Sequence, residues 1–269
     1  MIRECEERPT STTLSPGRPL PTALAVVEDS LHYRGPILVD DYLFASEHTR
    51  GIAKFNLPGP STVVDCVVDR TYGGNLERLA MAYAEAIRDE VAALIDAGCQ
   101  VIQFDDPVLL RHPDHAKRWG LNALQTCFRG LEGAARFGVH ICRGYPDRSL
   151  EAQGVDYKAN ANYYADVLRW LSESTLDIIS IEGAQSGLDL SVLSAAKDKT
   201  IMLGVLDVGS EQVEDVTSLV SRGREALKRL TARQLILAPD CGMVQLSREA
   251  ARAKLANLAK ATAILNSEE

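Results

Sequence analysis

The chain has 269 residues, 46% of them hydrophobic and 25% charged, with a net charge of -8 and a pI near 5.3. That composition suits a protein able to bury a sizeable core, and its acidic balance excludes nucleic acid and anionic membranes as the main partners. No apolar run approaches the roughly 20 residues of a membrane span, and the opening MIRECEERPTSTTLSPGRPLP lacks the apolar stretch of a signal peptide, so cytoplasm is the expected compartment.

Residues 1–33 open with Pro, Ser, Thr and charge and are expected to form an irregular leader, with one domain over 34–269. Within the leader's end, LAVVEDSLHYRG is apolar enough for a strand, but no helix is expected after it. From KFNLPGP near 54–60 onward, short apolar runs alternate with amphipathic stretches. Leu76, Leu79, Tyr83, Ile87, Val91 and Leu94 recur at helical spacing, and Gly98 follows as a C-terminal cap. CQVIQFDDP then reads as a strand. A helix is predicted over 115–137, with Trp119, Leu124, Phe128 and Leu131 on its apolar side, followed by the strand GVHICRG. The cycle repeats: a helix over 160–173 and the strand LDIISIEG, then a helix over 188–196 and the strand TIMLGVLDVGS. A helix over 213–230 leads to LILAPDCGM, and a last helix spans 247–266.

Apolar strands alternating with helices point to an α/β protein with a parallel sheet buried on both faces, either a closed barrel or an open doubly wound sheet. No glycine-rich G-x-G-x-x-G turn follows a strand, which weighs against dinucleotide binding. The pattern holds six parallel strands, whereas a closed (β/α) barrel needs eight.

Four strand ends carry polar residues: Asp105 and Asp106 in FDDP, His140 and Cys142 in HIC, Glu182 in IEG, and Asp240 and Cys241 in PDCG. Strand C-terminal ends converge on one face of such folds, where active sites sit. His140 and Cys142 are two apart, so on a strand they leave the same face and can share a metal. Glu182 and Cys241 would complete a tetrahedral shell, and two thiolates with an imidazole favour zinc. Each residue also has a structural alternative. H-x-C suits a packed histidine and a buried thiol, Glu182 a helix N-terminus, Cys241 a tight turn and Asp240 a helix cap. The other cysteines, at 5, 66, 99 and 127, form no disulfide pattern, and His112 and His115 suit a solvated loop that starts a helix.

IQFDDP, VHICRG, ISIEG, LGVLDVGS and LAPDCGM, in that order and spacing, resemble the C-terminal catalytic barrel of cobalamin-independent methionine synthase. The resemblance covers roughly residues 34–266 and extends to short single-barrel relatives, among them methylcobalamin:homocysteine methyltransferases and epoxyalkane:coenzyme M transferases. It implies a (β/α)8 TIM-barrel type of fold with the first two βα units missing from this chain. It also implies zinc held by His140, Cys142, Glu182 and Cys241, and a substrate amino group held by Asp105, with Asp106 supporting the substrate site. The family's second, N-terminal barrel has no counterpart here, nor do its G-S-[FY]-P and D-G-E segments, and Gly209 stands where the synthases have a proton-donating histidine.

The function so implied is zinc-dependent methyl or alkyl transfer from a methyl donor to a small thiol such as homocysteine. A second polypeptide or a swapped copy is expected to complete the barrel. Two alternatives accompany it: a non-catalytic zinc-binding subunit of a heteromeric enzyme, and a metal-free lyase on the related uroporphyrinogen decarboxylase-like barrel.

Overall fold

The computed structural model describes residues 2–4, 24–145, 153–155 and 157–268, which divide into two compact units. The first holds residues up to His140 together with Ser174–Asp177, and the second holds Ile141–Glu173 and Ile178–Glu269. Both are α/β, with parallel strands separated by helices.

In chain order the first unit runs β1 (Ile2–Glu4), β2 (Ala25–Val27), α1 (Val39–Glu47), β3 (Lys54–Pro58), α2 (Pro60–Asp65), β4 (Val67–Asp69) and α3 (Leu76–Asp96). It continues with β5 (Val101–Asp105), α4 (Val108–Arg111), α5 (Pro113–His115), a π-helical turn at Ala116–Gly120, α6 (Leu121–Thr126) and β6 (Arg136–Ile141), whose last residue opens the second unit. Strands β3, β5 and β6 form a parallel ladder in which Pro58, Asp105 and His140 share the last row. Alternation along each strand separates two faces. Phe55, Leu57, Ile102, Phe104, Phe137 and Val139 take one, and Leu57, Ile102, Phe104, Phe137 and Val139 are buried there. Phe128 stacks on Phe137 at 4.5 Å and on Phe104 at 6.0 Å. The other face is polar: Lys54, Asn56, Gln103, Asp105 and His140.

The second unit holds α7 (Tyr164–Ser172), β7 (Ile178–Ile181), β8 (Thr200–Leu206), α8 (Val216–Leu227), β9 (Leu235–Pro239) and α9 (Arg248–Asn266). Strands β7, β8 and β9 form a second parallel ladder, with every residue of β7 buried. The loop after β8 is held to α9 by Lys254, fully buried, whose ammonium sits 2.9 and 3.0 Å from the two Glu214 oxygens. Glu214 Oε1 also accepts the Asp207 N–H at 2.9 Å. A buried lysine is tolerated only when its charge and donors are matched in this way.

All six expected parallel strands form among the described residues. Other expectations change. The leader over 1–33 contains two short strands, β1 antiparallel to β2 and β2 parallel to β4, while residues 5–23 lie outside the described set. A helix, α1, does follow β2, because Glu90 of α3 accepts the N–H groups of Ile37 and Leu38 just ahead of it. The helix expected over 115–137 stops at Thr126. Gly130 and Gly133 take positive φ (80° and 83°) and turn the chain into β6, so Phe128 reaches the core from a turn. The helix expected over 188–196 is a 3-10 segment, Leu190–Ala195, capped by Asp189.

Asp106, directly after β5, anchors the start of α2. Its Oδ1 accepts from Thr62 N at 2.8 Å and Thr62 Oγ1 at 2.9 Å, and its Oδ2 from Ser61 N at 3.2 Å. A carboxylate at a helix N-terminus meets unsatisfied N–H groups and the positive end of the dipole. Asp106, expected to support the substrate site, is fully buried with its side chain turned toward α2. Gly59 sits so close that a Cβ there would approach Asp106 Cγ to 2.5 Å.

Two outcomes follow from this anchor. Gly59→Ala is expected to lower stability by about 1–3 kcal/mol through overpacking, read as a lower urea midpoint at unchanged slope. Burial pushes the Asp106 carboxyl up to about 6, above its ordinary 3.8. The group is therefore neutral in both states at low pH, and its burial cost appears as pH rises, complete above about 6 and on the order of 3 kcal/mol. The stability of wild type relative to Asp106→Asn should fall between about pH 4 and 6 and level off above. A flat difference across that window would refute the assignment.

Candidate metal centre

Strand β6 carries His140 and leads directly to Cys142, whose side chain leaves on the same face. Glu182 directly follows β7, and Asp240 and Cys241 directly follow β9. His140, Cys142 and Cys241 each offer one ligand atom, and these atoms lie within 4.8 Å of one another. His140 belongs with this set by chain continuity, since the division between the units falls inside its own strand. His140 and Cys142 are buried and Cys241 is half-buried. Glu182, 3% exposed, lies outside that three-residue set.

Asp240 ties two of these strand ends together. Its Oδ1 accepts from Gly183 N and Ala184 N, both at 2.9 Å, and its Oδ2 from Gln185 N at 2.7 Å. The residue just before Cys241 thus grips the three residues just after Glu182. Gly204 of β8 leaves room for the grip, since a Cβ there would come within 2.6 Å of Asp240 Cα. Tyr145, beyond Cys142, donates from its hydroxyl to the Gly242 carbonyl beside Cys241.

The electrostatics are those of a crowded anionic site. The Cys142 thiol is raised well above its ordinary value, chiefly by its hydrogen bond to Cys241, then by burial and by the charges of Cys241 and Glu182. The Glu182 carboxyl is raised by burial and by Asp240, while Lys158 and Arg143 pull it the other way. Burial likewise raises Asp240 against its three backbone donors. Ionising these thiols beside a buried carboxylate is costly without a compensating charge. A divalent cation reverses that balance, and soft sulfur with nitrogen suits a thiophilic one. The donor set therefore fits a metal.

Asp105 is half-buried in the row of His140 and accepts from Gln103 Nε2 at 2.7 Å and Asn56 Nδ2 at 3.5 Å. Sequence reasoning missed Gln103 and Lys54, although both stand on the polar face that alternation assigns to Asp105. It also missed the grip of Asp240, for which FDDP and PDCG offer only an acid beside a turn. His112 and His115 lie ring to ring at 5.5 Å, and His115 meets Trp119 at 5.6 Å, both as tilted aromatic contacts.

The family model described as "Cobalamin-independent synthase, Catalytic domain" matches residues 10–264. Among relatives, a methionine synthase of Pyrococcus abyssi is 27% identical over 245 residues, covering 91% of this chain and 66% of that protein. A 5-methyltetrahydropteroyltriglutamate–homocysteine methyltransferase of Thermosynechococcus vestitus is 29% identical over 87% of this chain and 29% of its own length. The chain thus spans just under two thirds of the archaeal relative. Among solved structures, a B12-independent methionine synthase from Shewanella sp. W3-18-1, in complex with selenomethionine, superposes with a TM-score of 0.82 at 29% identity. That match covers 92% of this chain and 72% of the other.

Elemental analysis of the purified chain is expected to show about one equivalent of a transition metal, lost in Cys142→Ser and Cys241→Ser. Asp240→Ala, which removes no ligand, should weaken metal binding by roughly 10–100-fold in competition with a chelator, because it frees the strand ends that carry the ligands.

Proposed function

We propose a function from one premise: this chain belongs to the cobalamin-independent synthase catalytic-domain family. On that premise it catalyses zinc-dependent transfer of a methyl, or related alkyl, group to the sulfur of a small thiol such as homocysteine. The observation that carries this reading is the convergence of His140, Cys142 and Cys241 at strand ends; Glu182, buried at the neighbouring strand end, is proposed as the fourth ligand.

When bound there, zinc would lower the pKa of a coordinated thiol and keep it nucleophilic near neutral pH. The chain's own groups do the remaining work. Glu182, the hard oxygen donor of the set, would be the ligand that gives way to the thiol, whose proton leaves to solvent. Asp105 holds the substrate ammonium in the same register row as His140, which sets the thiol's carbon skeleton relative to its sulfur. The new bond joins thiol sulfur to the donor's methyl carbon, and the bond broken is that between methyl and donor, whose leaving group keeps the electron pair.

An eight-stranded barrel around this site would need two strands besides the six of the β3–β5–β6 and β7–β8–β9 ladders, since the described β2 and β4 pair in a separate sheet. In this reading a second polypeptide or a swapped copy supplies them, and the exposed Ile37, Phe44 and Ile52 on the first unit are compatible with such cover. The mass of the complex in solution separates the cases. The five described cysteines are free thiols, which favours a reducing compartment such as the cytoplasm. No described helix is long and apolar enough to cross a membrane.

The zinc-loaded protein should consume homocysteine and form methionine when offered a methyl donor, with 5-methyltetrahydrofolate and methylcobalamin tested in parallel. Cys142→Ser should abolish turnover together with bound metal while the fold persists by circular dichroism. Full turnover in a metal-free preparation would overturn the mechanism, and unfolding on metal loss would favour a purely structural ion.

A further inference from the structure

We propose that Lys54 and Gln103 are positioning residues that aim the Asp105 carboxylate at the ammonium group of an amino-thiol substrate. The inference rests on the proposed substrate role of Asp105 and deepens it by giving that residue a mechanism of alignment.

Four side chains on the polar face of the first unit form a directed chain. Lys54 Nζ donates to Gln103 Oε1 at 2.7 Å. Gln103 Nε2 donates to Asp105 Oδ1 at 2.7 Å. Asn56 Nδ2 approaches Asp105 Oδ2 at 3.5 Å, the weak outer limit of a hydrogen bond. Lysine is a donor without acceptor capacity, and an ionised carboxylate accepts only, so the amide between them has one permitted orientation. Reversing it would set Lys54 against the amide's NH2 and Asp105 against its carbonyl. The ammonium also polarises the amide, which strengthens the second bond.

Burial makes this orientation firm. Gln103 is 5% exposed, whereas Lys54 is exposed and Asp105 half-buried. A buried amide with both ends engaged cannot turn away without losing two bonds. The strand register contributes as well: Asn56 stands opposite Gln103, and Gly138 on the far side of Gln103 brings no side chain into its row. The carboxylate is thus held firmly by Oδ1 and loosely by Oδ2. Oδ2 is the oxygen left with acceptor capacity for a substrate cation. A thiol bearing an ammonium group gains from that arrangement, and one without it does not.

Isothermal calorimetry on the zinc-loaded protein tests this with two ligands, homocysteine and 4-mercaptobutanoate, which lacks the amino group. Lys54→Met and Gln103→Leu should each weaken homocysteine binding by roughly tenfold, the equivalent of one charge-assisted bond, and leave 4-mercaptobutanoate within twofold. Lys54→Arg, which keeps the donor and the charge, should restore most of the preference. Asp105→Asn should abolish it. Equal weakening of both ligands in the Lys54 and Gln103 variants would reduce these residues to a structural part and overturn the proposal. Loss of preference in Asp105→Asn but not in the other two would reject the relay while sparing the role of Asp105. An unchanged Asp105→Asn, or a wild type that binds neither thiol or both equally, would sink that role and the relay with it.

Discussion

Asp240 accepts three backbone N–H groups from the turn after β7 while its own neighbour, Cys241, supplies a donor to the metal cluster. The separation of Glu182 from Cys241 is thereby set by one buried carboxylate and the peptide planes it grips. Leaving the buried Gly183 amide unpaired would cost on the order of 1–3 kcal/mol, and less for the half-buried Ala184 and Gln185. Asp106 makes a comparable grip in the first unit, on the first turn of α2. Each acid lies just beyond a strand's end, where the sheet's own hydrogen bonding has run out. There a side chain takes over the positioning that the ladder performs within the sheet.

This division of labour explains why the acids of FDDP and PDCG are not equivalent. In each pair of neighbours one residue points along the backbone and the next is free for chemistry, though the order is reversed. Asp105 faces the polar side and Asp106 grips; Asp240 grips and Cys241 faces the cluster. Alternation puts Asp105, the last residue of β5, on the polar face, whereas Asp106 and Asp240 lie beyond the strands and take their direction from the amides they grip. A gripping residue beside a functional one limits how far the functional side chain can wander, which is what a site needs if donor atoms are to stay within 4.8 Å of one another.

Much of this was legible in the residues. The six parallel strands announce themselves as apolar runs between amphipathic stretches, and His140, Cys142 and Cys241 stand out as polar residues at strand ends. The less visible parts depend on information that is not local. Whether Asp106 faces substrate or α2 is decided by Gly59, forty-seven residues earlier, whose missing side chain lets the carboxylate in. The length of the helix after Pro113 was misjudged because Phe128 and Leu131 keep helical spacing; the two positive-φ glycines beyond them settle the matter. Glu182 looks equivalent to its three companions as a letter at a strand end, but it lies outside the three-residue cluster. Gln103 and Lys54 read as an ordinary buried amide and a surface lysine until the register of β3 against β5 brings them together.

The spacing of the cluster along the chain also bears on how it is made. His140 and Cys142 leave the ribosome as neighbours, but Cys241 follows 99 residues later. At about 5–20 residues per second, the first two donors exist for on the order of 5–20 seconds before the third is available. A histidine and one thiol are a weak, non-selective pair that holds copper more tightly than zinc. A metal held at this site would be bound selectively only once β9 docks and Asp240 closes on the turn after β7, and a nascent chain stalled before β9 would carry an open two-donor pair exposed to whatever ion the cell has in excess.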